Sequence, residues 1–237
     1  MDAFYKKIIL VYLLILASAP FVLEAQQAQP RFRAGISGGI TDSNIGGTHL
    51  YRGRHFRKAG ITAGAIVNTR LDEKNTLQFE MNFTQKGSLQ PPDSNNYGYF
   101  KIALNYVEVP IMIKHHMRFT MFKKLRENYD FEAGVSYGKL IRSTVVGEAN
   151  YAISGASRSF NPNDISLLFG LDYNFSENYY FCLRYTNSIV PAIRRNAFNY
   201  SVIRYTFNNG NNMSFQLSLK YLFGGNKVAD NAPILTQ

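Results

Sequence analysis

The side chains able to do chemistry in this 237-residue sequence are few: four histidines, one cysteine and a set of charged residues at even spacings. His49 and His55 follow Asp42 and Ser43 in a polar, Gly-rich stretch, so the residue types of a Ser-His-Asp hydrolase fall close together. Such a triad is defined by geometry, and no spacing here enforces one. His115 and His116 are adjacent; on an extended strand they point to opposite faces and cannot chelate one metal. Cys182 has no His or Asn framework to make it a nucleophile and reads as a small strand residue. No Gly-rich loop precedes a helix to cradle phosphate. The sequence therefore assigns no catalytic, cofactor-binding or metal-ligating residue.

The remaining chemistry is ionic. Arg33, Glu80, Glu108, Lys114, Glu132, Asp172, Arg184 and Lys220 each sit on the polar row of a segment that alternates polar with apolar residues. Four are acids and four are bases, so together they sum to zero. A neutral set of this kind reads as a packed charge network rather than an ion pathway.

These rows require strands to hold them. Thr76 to Lys86 sets Leu77, Phe79, Met81 and Phe83 against Gln78, Glu80, Asn82 and Thr84, the period-two pattern of a strand with two unlike faces. The segments from Ile165 to Ser176, Tyr179 to Thr186 and Met213 to Phe223 repeat it. Ala103 to His115 and Asp130 to Ile141 follow less cleanly, and Pro110, which has no N–H to donate, predicts a bulge or local irregularity. Arg31 to Ile40 and Gly60 to Leu71 are Gly- and Ala-rich, and Ile66 breaks the alternation of the second. Eight strands are expected.

Their connections alternate in length. Long links run from Thr41 to Lys58, Ser88 to Lys101, Arg142 to Asp164 and Ile189 to Asn212; between them lie Asp72 to Asn75, an intermediate turn from Arg118 to Asn128, and Ser176 to Asn178. Outer-membrane barrels have this asymmetry, with short turns on the periplasmic side and long loops outside. Each segment also has the roughly 9–11 residues a tilted strand needs to cross a bilayer. A closed barrel leaves no edge in hydrocarbon. The expected fold is all-β, an eight-stranded antiparallel up-and-down transmembrane barrel, apolar rows toward lipid and charged rows toward the lumen. A soluble calyx that binds a small ligand would reverse the two faces.

The ends of the chain define the rest of the organisation. Lys6 and Lys7 precede an apolar run from Ile8 to Ala19, and Ala25 offers a cleavage point, so residues 1–25 read as a signal peptide. Residues 26–223 are expected to form the barrel and 224–237 a periplasmic C-terminal tail. A single cysteine excludes an intramolecular disulfide framework, and none lies near the cleavage point to carry a lipoprotein anchor. Sixteen Tyr and 18 Phe without any Trp supply rings for the headgroup level. The net charge of +10 survives removal of the signal, because Lys6 and Lys7 cancel Asp2 and Glu24. With a neutral lumen the excess falls in loops and turns: Arg52, Arg54, Arg57, Lys58, Arg194, Arg195 and Arg204 in the long loops, and Arg118, Lys123, Lys124 and Arg126 in the intermediate turn. Basic outer loops suit outer-membrane lipid and the phosphates of lipopolysaccharide, and a basic inner turn suits an acidic partner. Export argues against nucleic acid as that partner.

Three strands and the last strand pair have a familiar look. Leu77 to Gly87 (LQFEMNFTQKG), Asn105 to Lys114 (NYVEVPIMIK), Phe131 to Leu140 (FEAGVSYGKL) and Leu168 to Ser188 resemble the PorT-like family of outer-membrane β-barrels. That resemblance implies an eight-stranded barrel without known catalytic residues. In some members it implies a part in type IX protein secretion and gliding, hence partners in the secretion machinery. The alternative function carried by the residues themselves is a lipid-modifying barrel enzyme using Ser43 and His49.

Overall fold

The structure is a computed structural model and describes residues 32–48, 58–92, 99–122, 125–146, 160–193 and 207–223. The expected signal peptide and tail lie outside the described residues, as do His49, His55 and most of the loop arginines. The first compact unit, Met1–Phe32, contributes only Phe32 to the description; the second, Arg33–Gln237, is the barrel.

Eight strands are described: β1 (Phe32–Thr48), β2 (Lys58–Arg70), β3 (Asn75–Gln90), β4 (Phe100–Phe122), β5 (Leu125–Val146), β6 (Asn163–Ser176), β7 (Tyr179–Ser188) and β8 (Phe207–Leu222). Neighbours in sequence are neighbours in the sheet, and β8 returns to β1 to close it. The alternation decides which way each side chain points. Phe79, Leu171 and Leu219 are 41, 40 and 45% exposed on the outside, whereas Glu80, Asp172 and Lys220, one step along, are 4, 0 and 2% exposed within. This arrangement is the reverse of what a calyx requires.

The strands outrun the sequence expectation at both ends. β1 continues to Thr48 and Lys58 opens β2, so the first long loop is shorter than its polar composition implied. The intermediate turn is not a loop: β4 and β5, 23 and 22 residues long, pair down to Phe122 and Leu125. Pairing of β3 with β4 starts at Asn75 and His115, and pairing of β5 with β6 starts at Asn128 and Asn174. Residues 118–122 and 125–127 therefore form a two-stranded ribbon that projects past the sheet.

Pro110 produces no bulge. The β3–β4 register is the same on both sides of it, Phe79 with Ile111 and Asn82 with Glu108; only the intervening pairs are missing, as the absent N–H requires. The irregularity lies instead on β5, where Asn105 pairs with Arg142 and Tyr106 with Leu140, leaving Ile141 as an extra residue. Near it, Gly87 adopts φ 143°, and a Cβ there would stand 2.0 Å from the Ile102 carbonyl oxygen, so only glycine fits.

The interior is polar for most of its length and apolar at the loop end. Ile45, Phe100, Ile102, Leu104, Tyr106, Val145, Phe160 and Ile193 form one buried cluster, and Phe160 and Ile193 bridge two loop segments across it. On the outer face of the same stretch stand Lys101, Asn105, Lys139 and Arg142. Polarity thus inverts there to the pattern of a water-soluble sheet, which places the edge of the lipid belt between Val107 and Asn105 on β4. Ile66, which broke the alternation of β2, points inward and packs with Tyr180 and Leu222 toward the turn end.

At the turn end, rings step around the outside from β5 to β8. Centroids of Tyr129 and Tyr173 are 5.2 Å apart, Phe175 and Tyr179 5.9 Å, and Tyr179 and Tyr221 4.9 Å. This is the aromatic girdle expected at a headgroup level.

Candidate functional site

The only dense constellation of reactive groups among the described residues is the lumen. Each member stands on the inward row of its strand, so the period-two pattern alone converges them. Arg184 on β7 forks onto Glu80 of β3, with Nη1 2.8 Å from Oε2 and Nη2 2.8 Å from Oε1, and its Nε donates to Glu132 of β5. Lys220 of β8 donates to Glu132 at 2.9 Å and to both oxygens of Asp172 of β6 at 3.0 Å. Lys114 of β4 reaches Asp172 at 2.7 Å and Asp130 at 3.2 Å, and Asp130 meets His116 Nδ1 at 2.7 Å. One ionic chain therefore crosses six of the eight strands. Gln78 and Asn82 donate to the two Glu80 oxygens at 2.6 and 2.7 Å, occupying that carboxylate further.

A second cluster lies nearer the loops. Lys86 contacts Glu108 at 2.5 Å and Asp164 at 3.2 Å. Ser188 also donates to Asp164, and Asn212 donates to the Tyr106 hydroxyl at 3.1 Å. This cluster lies directly beneath the apolar cap.

Among the described residues the buried charged side chains are five bases (Lys58, Lys86, Lys114, Arg184, Lys220) and five acids (Glu80, Glu108, Glu132, Asp164, Asp172). The balance matches the sequence expectation, though the membership differs. Arg33 shares the inward parity but sits at the turn-end mouth, where its Nη2 donates to the Asn178 side chain at 3.4 Å. Lys86, Asp130 and Asp164 were missed. Each shares the parity of a recognised lumen residue (Glu80, Glu132 and Asp172) and lies at the very end of its alternating segment or one residue beyond it, where parity alone does not show whether a charge stays inside.

Buried charges are costly unless paired with good geometry. Here each carboxylate in the central chain faces at least one cation, so the charges of the plug are paired. Its tight packing across the narrow bore of an eight-stranded barrel leaves side chains where a channel would run. Oxygen and sulfur atoms of Glu132, Asp172 and Cys182 lie within 4.8 Å of one another, a set capable of ligating a metal. Both carboxylates are already held by Arg184, Lys114 and Lys220, so the set serves as an ion-pair node. The proposed hydrolase pieces separate: Ser43 faces inward and donates to the Lys58 carbonyl at 3.1 Å, while Asp42 lies on the opposite face of β1. His49 is outside the described residues, and His115 and His116 diverge as expected, the first onto Asn75 and the second onto Asp130.

No curated protein matches the chain. Among solved structures, the Yersinia pestis attachment protein Ail, in complex with the heparin analogue sucrose octasulfate, is similar at 11% identity and TM-score 0.43, covering 81% of this chain and 99% of that one. Neisserial surface protein A is similar at 12% identity and TM-score 0.41, covering 80 and 96%. OprG of Pseudomonas aeruginosa is similar at 11% identity and TM-score 0.36, covering 82 and 95%. Residues 24–194 match the family described as outer membrane protein beta-barrel domain. With its closed sheet, outward apolar rows and inward ion pairs, the chain belongs to that family and lies in the bacterial outer membrane.

Proposed function

We propose that this protein is a non-enzymatic structural or accessory component of the outer membrane that serves type IX protein secretion. The observation that carries the accessory role is the filled lumen: among the described residues, ten buried charged side chains and an apolar cap occupy the bore, which suits a rigid scaffold and not a conduit. The PorT-like sequence resemblance supplies the secretion context. The β4–β5 ribbon gives the scaffold something to present. It projects from the short-turn end, the periplasmic side, and residues 118–127 with their flanking turn carry Arg118, Lys123, Lys124 and Arg126 against the single acid Glu127. An acidic surface of a secretion component is its natural partner.

Deleting the gene and assaying secreted cargo tests this reading. Loss of cargo, restored by the wild-type gene, is the expected result. Restoration should fail with a variant in which residues 118–127 are replaced by a tight turn, although that variant still reaches the outer membrane. Unchanged secretion in the deletion strain would remove the protein from the secretion machinery and leave a membrane barrel of another role.

A further inference from the structure

We infer that the outer face of the β4–β5 bulge is a binding site for the phosphate groups of an outer-leaflet glycolipid of the lipid A class. The inference rests on the long loops facing outward, as in the proposed function, and is independent of any part in secretion.

Three observations converge on this patch. The first is the bulge. By inserting Ile141 it puts Ile141 and Arg142 together on the outer face and returns Val145 to the interior, so that Lys139 and Arg142 come to lie on the same exterior surface. Without the extra residue, Arg142 would fall on the inward row with Ser136 and Gly138. The second is depth. Lys139 pairs with Val107 and Arg142 with Asn105, which straddles the level at which the outer surface changes from apolar to polar. Tyr137, one outward step below Lys139, is 48% exposed, as an interfacial ring is. Lys101 stands four residues above Asn105 on β4, about 13 Å higher along the strand. The cations therefore span the layer in which lipid phosphates lie.

The third is electrostatic. Arg142 has no hydrogen-bond or ion-pair partner among the described residues, although it is exposed and free to reach one. Lys139 donates only to the Asn163 side-chain oxygen at 3.1 Å, which also accepts from the Tyr137 hydroxyl at 3.0 Å. Among the described residues, no Asp or Glu occupies the outward rows of β3 to β6 at this end; the outward acid described along the rim is Asp42, on β1. Elsewhere the described residues hold as many buried bases as buried acids, so three cations grouped on this face with no described carboxylate beside them mark a place where the counter-charge comes from outside. A guanidinium gives bidentate recognition of phosphate, and the two ammonium groups add point charge. At the membrane surface the anion present at high local concentration is the phosphorylated lipid headgroup.

The test uses the purified full-length barrel in neutral detergent, with binding read by native mass spectrometry and by the temperature at which the folded gel band is lost. The probes are phosphorylated lipid A, the same lipid after phosphatase treatment, and inorganic phosphate. Wild type is expected to bind phosphorylated lipid A at least tenfold more tightly than either of the other probes. The triple variant Lys101→Gln, Lys139→Gln, Arg142→Gln is expected to lose that preference. Arg142→Gln alone should lose a measurable part of it, and Arg70→Gln with Lys74→Gln at the turn end should lose none. Equal binding by wild type and the triple variant would overturn the site. So would equal binding of the dephosphorylated lipid. Inorganic phosphate bound as tightly as the lipid would make the patch a simple anion site and also overturn the inference. Outer-membrane fractionation of the same proteins is read separately, so the lipid site can fail while the barrel assignment stands.

Discussion

Arg184 holds the centre of the lumen. Its guanidinium lies between Glu80 and Glu132, and its removal would leave two buried carboxylates short of their closest cation. Breaking a buried pair from one side costs about 3–5 kcal/mol. Arg184→Ala should therefore lower the unfolding free energy by about that amount in urea titrations of the vesicle-inserted barrel. Arg184→Lys, which keeps the charge but not the fork, should lose less. Outside the membrane, Asp72 is the residue to titrate. The Asn75 side chain donates to it at 2.7 Å and the Lys74 and Asn75 amides at 2.8 Å, which holds its carboxyl below the ordinary 3.8. A depressed folded value means the turn gains stability that is present above the unfolded value and lost as pH falls through the folded one. NMR titration should find Asp72 below the ordinary value, and Asn75→Ala should move it back up. At this scale the sequence was legible wherever a charge sat mid-segment: Glu80, Glu132, Asp172, Arg184 and Lys220 were all placed correctly. It did not give depth: Arg33 shares the inward parity but stands at the turn-end mouth, since parity gives the face of a residue and not its height in the barrel.

The strands decide which side chains meet lipid and which meet each other. Leu183 is midway along β7 and 52% exposed on the outer face, so Leu183→Arg puts a cation into hydrocarbon. Such a charge costs about 2–4 kcal/mol at the bilayer midplane, and unfolding from lipid vesicles should register it. On the inner face, Gly170 leaves the space that Glu132 uses: a Cβ there would lie 2.5 Å from Glu132 Oε1. Gly170→Val should displace that carboxylate from Arg184 and cost about 1–3 kcal/mol, the range of overpacking in a filled interior. The alternation in the four clean segments, those on β3, β6, β7 and β8, identified both faces without any tertiary information. It could not give the extents, because beyond the lipid belt the selection for apolar exteriors ends. Phe100, Ile102 and Leu104 turn inward there and Lys101 and Asn105 outward, a second pattern of opposite sense that a single alternation rule reads as loop. The β4–β5 ribbon was missed for the same reason.

At the largest scale, the described barrel is greasy outside, ionic within and apolar inside at its loop end. A bore filled in this way should pass no steady ionic current in planar bilayers; reproducible open-channel steps would show that the plug moves aside. The barrel should also run as a compact band in unheated gels and shift on boiling, as closed membrane barrels do. The long-and-short rhythm of the connections revealed this architecture early, since short turns and long loops gather at opposite ends only when every strand crosses the same layer. The claim on which the rest depends is that the two faces of each strand meet different media. With Cys182 replaced by alanine, single spin labels at 78 to 83 along β3 can be tested in lipid for collision with oxygen and with a water-soluble nickel complex. Positions 79, 81 and 83 should be accessible to oxygen and positions 78, 80 and 82 to neither reagent, a strict period of two. Oxygen access that showed no such period, or that favoured the even positions, would contradict the assignment of the apolar rows to the membrane.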